Sequence, residues 1–283
     1  MSALPESALY LFAGLAGLLV GSFLNVVILR LPPWLGHRME RECREWLEPE
    51  GTPPVAEDAP PGIAHPPSHC PRCGHGLSWY ENIPVVSFLL LRGRCRHCGG
   101  AIAGQYPLVE IGAALLAMAT VAVLGPGVEA VAVTALAWTL LALAVIDLRE
   151  QLLPDALTLP ALWAGLLLAA AGFGPAPVDA ILGAAAGYGV LWLVAHGYRV
   201  SRGRVGMGGG DLKLLAVIGA WAGWQLLPLV ILLAAVPAAL VGLALLAGGH
   251  HRQTAIPFGP YLALGGWLAL LWGERLQGVL HGL

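Results

Sequence analysis

Eight stretches of this chain are apolar over a run long enough to approach or span the hydrocarbon core of a bilayer. They are Ala8–Leu29, Leu108–Leu124, Val128–Ile146, Ala156–Ala171, Ala180–Gly197, Leu212–Leu227, Leu229–Ala247 and Pro260–Leu276. In hydrocarbon a segment must satisfy its own backbone hydrogen bonds, so such runs fold as helices. The expected fold class is an all-α polytopic membrane protein with about eight transmembrane helices. Hydrophobic residues make up 57% of the 283 and charged residues only 11%, with mean hydropathy +0.73, which excludes an ordinary water-soluble domain. The 38 glycines suit interfaces where membrane helices approach closely.

Basic residues fix the expected orientation. Arg30, Arg38, Arg41, Arg44, Arg72, Arg92, Arg94 and Arg96 fall after the first run, Arg149 after the third, Arg199, Arg202 and Arg204 after the fifth, and Arg252 after the seventh. The even-numbered connections, near Gly125-Pro126-Gly127, Gly172–Asp179 and Gly223–Pro228, carry no Lys or Arg. The positive-inside rule then puts the odd connections in the cytosol and the N-terminus outside. The first run has no basic segment before it and no clear cleavage site after it, so it is read as a retained span. The organisation expected is a transmembrane helix over 8–29, a cytosolic loop domain over 31–106 and a seven-helix membrane portion over 107–276. A net charge of −2 gives no nucleic-acid footprint.

The loop is the only soluble segment of any size. Its first half, Glu40–Pro67, mixes charge with seven prolines and reads as a partly flexible insertion. Its second half carries Cys70-Pro71-Arg72-Cys73 and Cys95-Arg96-His97-Cys98. Each Cys-x-x-Cys turn can present two thiolates to one tetrahedral ion, so Cys70, Cys73, Cys95 and Cys98 are expected to hold a structural zinc. Four thiolates fill the shell, which excludes a catalytic role for that ion, and a loop too small for its own core gains its fold from the metal. His69, His75 and His97 are weaker alternative ligands, and Cys43 stands alone.

Polar groups inside the apolar sequence are few. Gly206-Met207-Gly208-Gly209-Gly210-Asp211-Leu212-Lys213 brings a carboxylate to the mouth of an apolar helix, and its glycines imply a distorted or closely approached backbone. An ionisable group at a membrane boundary is costly unless used, which makes Asp211 a functional candidate. Asp147 directly continues the apolar run Leu140–Ile146 and is its natural partner, while Asp155, after Leu153-Pro154, reads as a loop charge or an N-cap. Asn25 suits an interhelical hydrogen bond as well as a functional role, and Glu110 suits the favourable end of a helix dipole. If Asp147 and Asp211 meet, they would share a proton, one acting as general base on water and the other as general acid. No serine sits in a nucleophile elbow, and the glycine run lacks the ending of a phosphate-binding loop. A carboxylate-lined transporter is the alternative that paired aspartates alone leave open.

Further motifs join these: Gly21-Ser22-Phe23-Leu24-Asn25-Val26-Val27 with Arg30-Leu31-Pro32, Asn82-Ile83-Pro84, Tyr106-Pro107 with Glu110, and Pro257-Phe258-Gly259-Pro260. In this order, with the paired cysteines and the Gly-x-Gly-Asp run, the chain resembles the type IV prepilin peptidases, bacterial inner-membrane aspartyl proteases. The resemblance implies cleavage, after a Gly at the cytosolic face, of the basic leaders of type IV prepilins and type II secretion pseudopilins. It implies Asp147 and Asp211 as the catalytic pair, with Gly208, Gly210, Asp155 and Lys213 supporting. The four cysteines imply the longer, bifunctional type, which also methylates the new N-terminus from S-adenosylmethionine. No Rossmann-type fingerprint for that donor is present, so its site would be built from membrane-edge helices and the first loop. The partners implied are the prepilins, the pseudopilins and the lipid bilayer.

Overall fold

The structure is a computed structural model that describes residues 5–47, 59–204, 206–248 and 256–281. Its elements are α1 (Glu6–Leu47), a 3-10 turn (Trp79–Asn82), α2 (Val86–Leu90), α3 (Gln105–Leu124), α4 (Val128–Glu150), α5 (Asp155–Ala170), α6 (Pro177–Arg202), α7 (Gly209–Ala222), a second 3-10 turn (Trp224–Leu226), α8 (Leu227–Ala247) and α9 (Gly259–His281). Among the described residues there are no strands, only two isolated bridges. A helix stands at each of the eight expected runs. Five of the segments, α1, α3, α4, α6 and α8 with its leading turn, are long and apolar enough to cross a membrane. The other three do not meet that measure: at 1.5 Å per residue α5 and α7 extend only about 24 and 21 Å, and α9 carries charge towards its end and five glycines along its length.

The chain divides into two compact units, 1–118 and 119–283, with the boundary inside α3. In the first unit α1 runs well past the expected end at residue 29, through Pro32 and Pro33 to Leu47. The segment 40–47 of the insertion read as partly flexible is therefore helical. Two i,i+4 pairs, Arg38–Glu42 at 2.9 Å and Arg41–Glu45 at 3.3 Å, support that extension. Residues 48–58 of the same insertion lie outside the described residues. Its far end is anchored, because Arg30 donates from Nη1 to the carbonyls of Gly62 at 2.9 Å and Pro66 at 2.6 Å.

α1 packs on α3 through glycine. A Cβ on Gly17 would stand 2.5 Å from the Ala114 Cα, and one on Gly21 2.6 Å from the Glu110 Cα, so the two backbones touch where only glycine fits. Asn25, 1% exposed, fastens the pair by donating to the carbonyls of Gly21 at 3.2 Å and Tyr106 at 3.1 Å, the interhelical role. Glu110 does not sit in a first turn, since α3 already begins at Gln105. It is buried, bonds the Ser22 hydroxyl, and accepts the Val85 amide at 2.7 Å. That amide belongs to a β-branched residue held at φ +59°, a conformation that needs such an anchor.

In the second unit α7 is the central element. Leu212 and the whole segment from Leu214 to Ala220 are buried, so this short helix is enclosed by protein and not by lipid. Its closest neighbour is α6: Gly183 and Gly219 oppose each other with no room for a side chain, and a Cβ on Gly187 would reach within 2.5 Å of the Leu215 carbonyl oxygen. On another face the Trp221 indole lies on Gly165 and donates to the Ala161 carbonyl at 2.8 Å, tying α7 to α5. Leu136, Leu140 and Leu143 of α4, Leu229 and Val230 of α8, and Leu262 and Ala269 of α9 complete the core.

Candidate functional site

One end of the second unit brings together the C-terminal end of α4 and the N-termini of α5, α7 and α9. α4 stops when Gln151 turns left-handed at φ +52° and its amide bonds back to the Asp147 carbonyl at 3.0 Å. This leaves Asp147 in the last full turn, 6% exposed. Its Oδ2 accepts the Gly259 amide at 2.9 Å, the first amide of α9. A Cβ at Gly259 would come within 2.7 Å of that same oxygen, so any larger residue there must displace the Asp147 carboxylate. The Pro257-Phe258-Gly259-Pro260 motif thus supplies an amide to Asp147, a role the sequence reading did not give it. A lone glycine wedged between prolines at a helix start was the signal available.

Asp211 is the third residue of α7, after the N-cap Gly208. Its carboxylate reaches back to accept the Gly208 amide, the arrangement by which an acidic third residue satisfies a helix start. Asp147 is the charged side chain near enough to act on it electrostatically. Asp211 Oδ1 is buried and has no hydrogen-bond partner among the described residues. The partial positive ends of α7 and α9 both point into this site.

The glycine run divides in two. None of the four has a positive φ, so the expected distortion is absent, but two are closely approached. A Cβ on Gly206 would meet the Tyr198 ring at 2.5 Å, and one on Gly210 would meet Leu153 at 2.7 Å. Gly208 and Gly209 face open space or ordinary contact distance. Gly210 therefore lets the start of α7 seat beneath the Leu153-Pro154 turn that leads into α5. That seating is reinforced by Lys213, whose Nζ lies 2.6 and 2.7 Å from the two oxygens of Asp155. Asp155 is not an N-cap: Pro154 holds that position, and Asp155 is the first helical residue, drawn outward to its cation.

In the first unit the two Cys-x-x-Cys turns are built alike. The Cys70 amide donates to the His75 carbonyl and the Gly74 amide returns to the Cys70 carbonyl, each at 2.9 Å. The Cys95 amide likewise donates to the Gly100 carbonyl at 2.8 Å and the Gly99 amide returns to the Cys95 carbonyl at 2.9 Å. Gly74 at φ +71° and Gly99 at φ +66° take the left-handed corner that closes each turn. All four sulfurs lie within 4.8 Å of one another, and Cys70 Sγ is 3.9 Å from Cys98 Sγ. Sulfurs about 2.3 Å from one tetrahedral ion would stand about 3.8 Å apart, so the donor set fits a single metal. The amides of Cys73 and Arg72, directed at the Cys70 sulfur, hold that thiol down to about 6. At Cys73 the His75 amide acts in the same direction, but burial and the neighbouring sulfurs outweigh it and push the thiol up to about 11. Sulfurs crowded in this way cannot all ionise without a cation among them.

Two family models match consecutive parts of the chain: the bacterial peptidase A24 N-terminal domain over residues 15–124 and the type IV leader peptidase family over 134–243. A prepilin leader peptidase/N-methyltransferase of Aeromonas hydrophila is 47% identical over 95% of this chain and 91% of its own length. The chain belongs to the type IV leader peptidase family. Relatives with the same name from Pseudomonas putida and Pseudomonas aeruginosa are 49% and 47% identical, each over 93% of this chain and 91% and 90% of their own lengths. No solved structure matches the chain. The first family model ends with α3 and the second begins inside α4, so all of the aspartate site lies beyond the first model and all of the cysteine cluster lies within it.

Proposed function

We propose that this leader peptidase hydrolyses one peptide bond in type IV prepilins and type II secretion pseudopilins, with Asp147 and Asp211 as its catalytic pair. The observation that carries the reading is a pair of carboxylates, from α4 and α7, within electrostatic reach of each other in a mostly apolar unit, one of them with a buried oxygen that has no hydrogen-bond partner among the described residues. Asp211 Oδ1 is the base that takes the proton of the attacking water. Asp147, oriented by the Gly259 amide, gives a proton to the leaving amine after the water oxygen has bonded to the scissile carbonyl carbon. Gly208 and Gly210 shape the start of α7, and Asp155 with Lys213 fixes α5 against it.

The placement of basic residues supports an inner-membrane protein whose odd connections and aspartate site face the cytosol, with an outside N-terminus. In that setting the apolar helix of a prepilin stays in the bilayer while its leader reaches the aspartates. We assign the short helices α5 and α7, together with α9, to a membrane portion over 107–276; a helix over 8–29 and a loop domain over 31–106 precede it in the chain. The ion at Cys70, Cys73, Cys95 and Cys98 is zinc, which would fold the loop and take no part in hydrolysis.

The second activity in the relatives' name supports N-methylation of the product, with S-adenosylmethionine supplying the methyl group. The buried carboxylate of the first unit, Glu110, is committed to the Val85 amide and the Ser22 hydroxyl, so no residues are assigned to the donor. The transporter reading gains no support from any relative. Purified protein incubated with a prepilin, with and without S-adenosylmethionine, tests the assignment by product mass. The expected result is a cleaved product in both and one added methyl only with the donor. Full cleavage by an Asp147→Asn or Asp211→Asn variant would refute the catalytic pair.

A further inference from the structure

The two cysteine turns also bring imidazoles together. His75 follows Cys73 by two residues and His97 lies inside the second turn, and across the cluster their ring centroids are 3.4 Å apart with planes inclined by 34°. Beside them stands Glu81, in the 3-10 turn Trp79–Asn82. Its Oε2 accepts the Ser78 amide at 2.9 Å, which fixes the carboxylate. One donor atom from each of His75, Glu81 and His97 lies within 4.8 Å of the others. Among the described residues neither imidazole has a hydrogen-bond partner.

We propose that His75, Glu81 and His97 form a second metal site, separate from the four cysteines, for an exchangeable divalent transition-metal ion. Two imidazoles and a carboxylate are a borderline donor set that suits zinc, nickel or cobalt and disfavours magnesium and calcium. Three protein ligands leave open positions for water, unlike the closed four-sulfur shell. Both histidines are exposed, so the ion can enter and leave directly from solvent. It would join three separate pieces of chain: the first cysteine turn, the 79–82 turn and the second cysteine turn. In a loop without an apolar core, such a cross-link adds rigidity that the sulfur site alone does not provide.

Full-length protein without a polyhistidine tag, in detergent, is dialysed to equilibrium against zinc, and bound metal is counted per chain. Wild type is expected to bind two ions. His75→Ala and Glu81→Gln are expected to bind one, with the second weakened at least tenfold, while Glu81→His, which restores a ligand, keeps two. After cobalt substitution, the thiolate-to-cobalt absorption of both one-ion variants should match wild type, which separates loss of this site from collapse of the cysteine cluster. A single ion in wild type at saturating zinc, or a second ion that survives both substitutions, would overturn the proposal.

Discussion

Cys70 and Cys73 are placed by a turn whose own amides bond back within six residues, and Cys95 and Cys98 by a second turn of the same design. Asp147 and Asp211 have no such local frame. They meet because α4, α7 and α9 pack at glycine contacts far apart in the chain. The first region obtains its geometry from hydrogen-bonded turns that gather four sulfurs into a set fit for one metal, with almost no apolar core. The second obtains it from close packing, and its polar contacts are few: the Gly259 amide on Asp147, the Gly208 amide on Asp211, and Lys213 on Asp155. A locally framed site should fail by losing its ion while the rest of the chain stands. A packed site should fail when a single methyl group enters the wrong contact.

The largest contrast is expected at the cysteines. Cys95→Ser should remove essentially all metal from the four-sulfur cluster, read by metal analysis, yet leave the helical content of the protein nearly unchanged by circular dichroism. Next comes Gly259→Ala, which drives a Cβ against the Asp147 carboxylate. Overpacking of this kind costs about 1–3 kcal/mol, and the displaced carboxylate should lower the rate of leader cleavage about 100-fold.

The glycine run offers a finer test. Gly210→Ala must push against Leu153 and should destabilise the protein by about 1–3 kcal/mol. Gly209→Ala meets nothing and lies in a helix, so it should be neutral or stabilising by up to about 1 kcal/mol. Thermal unfolding in one detergent would compare the two directly, and equal effects would remove the steric account of the run. The smallest effect is expected at the Asp155–Lys213 pair. It is partly exposed, so Lys213→Ala should cost only about 0.2–1 kcal/mol, with cleavage reduced a few-fold and recovered in an Asp155→Lys, Lys213→Asp double variant.

How far the sequence could be read follows the same division. The cysteine cluster was legible because a Cys-x-x-Cys spacing and its closing glycine are local. The helices were legible because apolar runs in a membrane have one backbone solution. Each aspartate was legible as a costly charge, but the Gly259 amide and the open Asp211 oxygen were not, because both depend on which helix ends pack together. The helical reach of α1 past Pro32-Pro33 was missed because the prolines and charges that follow read as a break, whereas its i,i+4 ion pairs sustain the helix. The eight apolar runs said nothing of burial by neighbours, which is what allows α7 to be too short to cross a bilayer by itself and still form the centre of its unit.

The central claim is that Asp147 and Asp211 act as one unit. Leader cleavage rates for Asp147→Asn, Asp211→Asn and the double variant test it most directly, each variant first shown to keep wild-type helical content. Residues that share a single chemical step are not additive, so each single change should cost about 10²–10⁴-fold or more and the double change no more than the worse single. A double variant slower by the product of the two single losses, or a single variant cleaving at the wild-type rate, would contradict the account.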